Sequence, residues 1–247
     1  MPYRETQFAN DEIYHITLRG LDDRELFLDN NDYYRMIFSI YEFNDTKPVA
    51  IRERRKQRLY IKQQILASRP PRSDGRSDGQ YPDERERFVD ILAFCWMPNH
   101  IHLLVRQLRD GGITKFMSKV GVGYAKYFNT KYERKGYVFQ NRFNSVHIEN
   151  DKQLQTVFVY IHTNPIALIE PGWKEKGILI PEKVIKFIEN YKWSSYMDYL
   201  GNPNFKFVTQ RNFLAEVMGG VDGCRQQVKD WVEYKKEIRQ FRDLFLE

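Results

Sequence analysis

The chain has 247 residues, a formal net charge of +6, 42% hydrophobic and 15% aromatic residues, and two cysteines. That length and composition suit a folded chain with an ample core, and two distant cysteines exclude a disulfide scaffold or a cysteine-based metal cluster. No apolar run reaches the roughly 18 residues of a membrane span, and residues 1–6 lack the apolar core of a signal peptide, so a cytoplasmic protein with no membrane partner is expected.

In chain order, Ile13–Arg19 alternates as a first strand and stops at Gly20. His15 lies on this strand and reads as a face residue in preference to a metal ligand. Residues 29–44 read as a helix, with Tyr33, Ile37, Ile40 and Tyr41 at helical spacing and Asp29 or Asn30 as N-cap. From 46 to 87 the character changes. Arg52, Arg54, Arg55, Lys56, Arg58 and Lys62 stand against the single Glu53, and a low-complexity stretch follows at 68–80. This basic insertion is either a solvated loop or an arm that grips phosphates.

Two strands follow, at about 87–96 and 100–107, joined by the turn at Pro98-Asn99. Alternation puts His100, His102, Leu104 and Arg106 on one face of the second strand and Ile101, Leu103 and Val105 on the other. Two imidazoles so placed either bond within the sheet or converge on one metal ion. Gly111-Gly112 opens a helix near 113–130, with Phe116, Val120, Tyr124, Tyr127 and Phe128 along one side. Residues 136–143 and 145–148 read as short extended segments, and His147 as a partly exposed strand-end residue.

A further helix runs from about Asp151 to about Asn164, closed by Pro165. Tyr160 and Asn164, four apart, share one flank, whereas His162, about 200° round the helix from Tyr160, points away. The tail carries Trp173, Trp193, Tyr196 and Tyr199 and ends in a helix near 222–243. The element order predicts an α+β fold, a ferredoxin-like split βαβ antiparallel sheet with helices on one face plus a helical C-terminal extension. The expected division is 1–200 and 201–247.

Two imidazoles and an amide oxygen can hold a divalent cation with positions left for a phosphate oxygen, and a nearby tyrosine can attack the phosphorus. On physical grounds alone Tyr160 is one of sixteen tyrosines. The motifs single it out. Tyr14-His15-Ile16-Thr17 with Arg19-Gly20, Met97-Pro98-Asn99-His100-Ile101-His102, Phe139-Gln140-Asn141-Arg142-Phe143, Tyr160-Ile161-His162-Thr163-Asn164-Pro165 and Trp193-Ser194-Ser195-Tyr196 follow one another in order. This series resembles the HUH single-tyrosine transposases, and within them the REP-associated tyrosine transposases, which are IS200-like.

The resemblance implies that His100 and His102 are metal ligands, Asn164 the third ligand and Tyr160 the nucleophile. It implies cutting and rejoining of single-stranded DNA beside hairpins, with Mg²⁺ or Mn²⁺ and a 5′-phosphotyrosine intermediate. Imidazoles by themselves suit zinc as well. Arg19, Arg106, Lys126 and Arg142, with Arg52, Arg54 and Arg55 of the insertion, are the candidates for phosphate contacts, and a monomer is expected. The alternative is a module that binds DNA or RNA hairpins without cutting them and keeps a relic site.

Overall fold

A computed structural model of the chain describes residues 7–49, 56, 83 and 85–245, with side chains as far as 237. Four strands, β1 (Ile13–Arg19), β2 (Val89–Met97), β3 (His100–Gln107) and β4 (Asn144–Ile148), form an antiparallel sheet in the order β2-β3-β1-β4. Helix α1 (Asn30–Glu42) connects β1 to β2, and α2 (Gly112–Lys131) connects β3 to β4. This is the split βαβ plan expected from the element order.

Local chemistry accounts for the element ends. Asp29 caps α1 by accepting the Asp32 backbone N–H, and the Asp32 carboxylate accepts the Asp29 N–H in return. Gly111 enters α2 with φ of +65°, a left-handed conformation that glycine adopts without strain. β1 alternates, with Tyr14, Ile16 and Leu18 buried, whereas β2 is buried along its whole length. A strand apolar on both sides must be covered on both sides.

That cover comes from different helices. α1 and α2 pack on each other, and α2 meets β2 and β3. They lie over the side that carries Tyr14, Ile16, Leu18, Ile101, Leu103 and Val105, as the split βαβ plan requires. The next helix, α3 (Asp151–Thr163), contacts β2 and β3 on the other side, where Tyr160 meets two strand histidines. Helices on a single face therefore describe α1 and α2 only. Nothing in the periodicity of α3 says which side of the sheet it takes.

Residues 136–143, expected to be extended, are a loop that touches β1 through one bridge, Gly20 to Phe139, and the bond from Gln140 N to Arg19 O. The tail forms α4 (Trp173–Lys176), α5 (Pro181–Glu189), α6 (Tyr196–Tyr199), α7 (Asn212–Val217) and α8 (Gly220–Phe245). α8 packs on α3, α4, α5 and α7, and Trp173 meets Trp231 edge to face at 4.9 Å. Gln155 of α3 donates to the Val217 carbonyl. Among the described residues, no helix is long and apolar enough to cross a membrane.

Both ends of the 46–87 segment are held at one point. The buried Asn44 side chain donates to Val89 O and accepts from the N–H groups of Phe88 and Val89, and Thr46 N donates to Glu86 O. Arg52, Arg54, Arg55, Arg58 and Lys62 lie outside the described residues.

Candidate functional site

The antiparallel register brings the site together. His100 stands opposite Arg19 and Met97, and His102 opposite Thr17 and Cys95. All of these side chains share one face. His15, one pair along on β1, joins them: its Nε2 lies 2.9 Å from His102 Nδ1, and the ring centres are 5.1 Å apart with the planes 16° from parallel. His100 Nδ1 lies 2.7 Å from the Asn99 side-chain oxygen, an acceptor, so Nδ1 carries the proton and Nε2 the lone pair.

His102 is 3% exposed, and its Nε2 is buried with no hydrogen-bond partner among the described residues. A buried nitrogen in that state costs free energy unless something binds it. Burial also settles the charge. It lowers the pKa of His15 to about 4 and that of His100 to about 4, the latter helped by the positive charges of Arg19 and Lys174. His102 is pushed well below the usual histidine value by burial and by its neighbours His100 and His15. At neutral pH all three rings are uncharged, the state a metal ligand requires.

α3 supplies the other half. Asn150 caps it by accepting from Gln153 N, and Leu154, Phe158 and Ile161 bury its inner face. Tyr160 then faces the histidines, its ring edge-on to His15 at 5.8 Å and to His102 at 5.6 Å. Lys174 Nζ sits 4.9 Å from the Tyr160 ring centre. The Tyr160 hydroxyl has no hydrogen-bond partner among the described residues. Pro165 ends the regular helix at Thr163, and Asn164 opens the tight turn that follows. Asn164 Nδ2 donates to Tyr160 O at 2.6 Å, which leaves Oδ1 as the unbonded end of the amide. His162 points away as expected, fully buried with Nε2 2.9 Å from Ser195 Oγ. His147 pairs with Glu12 on the opposite face.

These groups line a cleft of about 630 Å³. His100, His102, Tyr160 and Asn164 meet there, and the rim adds Arg19, Arg142, Lys174, Gln140, Asn141 and Asn144. Arg19 is paired with Asp23 at 2.8 Å. Gly20 follows it because the chain folds back at that point: a Cβ there would stand 2.2 Å from Arg24 O. Two further candidates are elsewhere. Arg106 has the right face but sits six residues down β3, roughly 20 Å from His100, bound to Asp90 at 2.6 Å. Lys126 is exposed on α2 and does not line the cleft.

Sequence reasoning assigned no role to Lys174 and discounted His15. Lys174 arrives from the tail, and no local pattern marks it. His15 was findable in principle, because a register matching Thr17 to His102 places it beside that ring.

Among the described residues there is no group of three or more His, Cys, Asp or Glu arranged to hold a metal. The donor set at the cleft contains only two such residues, completed by an amide oxygen. The orphaned His102 Nε2, the free His100 Nε2 and Asn164 Oδ1 suit a divalent cation that keeps open positions.

The family model "Transposase IS200 like" matches residues 84–164. Among solved structures, a REP-associated tyrosine transposase bound to a REP hairpin is similar, with 14% sequence identity and a TM-score of 0.43, over 83% of this chain and 90% of that one. No curated protein is similar enough to the chain to count as a match. The segment that carries His100, His102, Tyr160 and Asn164 is thus similar to the IS200-like transposases, which bears out the resemblance read from the motifs.

Proposed function

We propose that the protein is a metal-dependent single-stranded DNA endonuclease and strand transferase that acts beside hairpins through a 5′-phosphotyrosine. One observation carries the reading. A neutral, buried and unpartnered His102 Nε2 faces the same cleft as the unbonded Tyr160 hydroxyl and Asn164 Oδ1.

In this reading His100, His102 and Asn164 hold Mg²⁺ or Mn²⁺, which as a Lewis acid draws charge from the phosphoryl oxygens. The choice of these ions over zinc follows the family resemblance. Arg19, Arg142 and Lys174 bind and orient the phosphate backbone. Tyr160 Oη loses its proton to solvent and attacks the phosphorus, the P–O3′ bond breaks, and the departing O3′ takes a proton from water. The strand's 5′-phosphate is left on the tyrosine. Attack by another 3′-hydroxyl on that phosphorus reverses the step, joins the strands and releases Tyr160, with no external energy source.

The test is end-labelled hairpin DNA with a single-stranded flank, incubated with and without Mg²⁺ and run on a denaturing gel. Protein-linked product that needs the metal is the expected result. A native-gel shift without cleavage would replace this reading with the non-cleaving binder. Free ends with no protein-linked species would point to a hydrolase on the same histidines and leave Tyr160 idle.

A further inference from the structure

We infer that His15 is a positioning residue for the metal site, holding His102 in the one tautomer and ring orientation that leaves Nε2 free to bind a cation. This inference rests on the metal-binding reading of His100, His102 and Asn164.

The geometry leaves few choices. One proton serves the 2.9 Å contact between His15 Nε2 and His102 Nδ1. If His15 supplies it, neutral His102 must carry its own proton on Nε2, as a buried donor with nothing to donate to. If His102 Nδ1 supplies it, Nε2 has a lone pair facing the cleft, and His15 Nε2 is the acceptor. Only the second arrangement gives both ring nitrogens of His102 a partner once a cation is present.

Ligating histidines generally donate their second ring nitrogen to a carboxylate, a carbonyl or water. Here the place is taken by a neutral imidazole on the neighbouring strand. Thr17 occupies the directly opposed position, so the acceptor has to come diagonally, and the ring of His15 spans that distance with its plane nearly parallel to that of His102. The choice of acceptor also keeps the site less anionic than a carboxylate would. The cleft then has neutral donors backed by Arg19 and Lys174, which suits a polyanionic strand.

The contrast between His15→Leu and His15→Gln tests this directly. Leucine fills the space but accepts nothing, whereas the glutamine carbonyl can accept from His102 Nδ1. Mn²⁺ affinity of the full chain is measured without DNA, by following the free-ion electron paramagnetic resonance signal. Thermal unfolding of each variant checks that it is folded, and His100→Ala serves as the reference for a lost ligand. Expected are a 10- to 100-fold weaker affinity for His15→Leu, of the order seen when such supporting groups are removed, and an affinity within about threefold of the original for His15→Gln. Wild-type affinity in His15→Leu overturns the inference, and so does an equal loss in both variants, which would make His15 a ligand itself. If His100→Ala binds Mn²⁺ as well as the unaltered chain, the metal-site reading fails and this inference falls with it.

Discussion

Replacing Tyr160 by phenylalanine separates chemistry from structure, because the hydroxyl has no partner to lose among the described residues. The ring contacts with His15, His102 and Lys174 are kept. A half-exposed hydroxyl facing a cleft is worth no more than about 0.5 kcal/mol to folding. At this chain length that is a melting shift of roughly 2 °C or less. Removal of a lone nucleophile, by contrast, costs on the order of 10⁶ in rate. Tyr160→Phe should therefore bind hairpin DNA and metal as before, yet give no covalent adduct and no nicked strand on a denaturing gel. Tyr124→Phe is the mirror image. That hydroxyl is buried and donates to the Leu26 carbonyl, so its removal should cost roughly 1–2 kcal/mol, or about 2–8 °C, and leave cleavage intact. A covalent adduct in Tyr160→Phe, or its loss in a folded Tyr124→Phe, would show that the attacking oxygen is on another residue.

Three further outcomes are expected. His100→Ala and His102→Ala should each lower Mg²⁺-dependent cleavage by more than about a hundredfold while circular dichroism stays unchanged, since Ile101, Leu103 and Val105 pack the opposite face; near wild-type cleavage would place the cation elsewhere. Burial holds His15 and His100 near pKa 4 against an unfolded value of about 6.5, so the unfolded chain binds their protons first. Stability is intact above pH 6.5 and falls as the pH drops toward 4, by up to about 3 kcal/mol for each ring, and urea titrations at pH 7, 5.5 and 4.5 read this loss; a flat profile would contradict it. Arg142→Ala should shrink the salt slope of DNA binding by about 1 and Arg106→Ala should leave it unchanged, as measured by fluorescence anisotropy across salt concentrations; equal slopes in the two variants would mean that DNA does not follow the cleft.

Local signals carried a large part of this architecture. Alternation placed β1 at Ile13–Arg19 and put both motif histidines on one side of β3, and Asp29 marked the start of α1, because each depends only on neighbours in sequence. Pro165 gave the end of α3 within a residue. What escaped depends on distant pairing. The contact of His15 with His102 spans 87 residues and exists only in one register of β1 against β3. Lys174 reaches the cleft through the packing of the tail. Arg106 shows the limit of periodicity, which gives the face of a strand correctly and says nothing about distance along it. The side of the sheet taken by α3 is likewise a property of the whole topology.

The clasp at Asn44 has a practical corollary for engineering. Because its side chain ties α1 to the start of β2 through Val89 and Phe88, whatever lies between leaves and rejoins the fold at one spot. Closing a shorter or longer connection there changes the free energy by only about 0.6 kcal/mol for each doubling of length. A segment grafted between residues 46 and 86 would start and end on backbone that this clasp holds in place, directly before the strand that leads to His100.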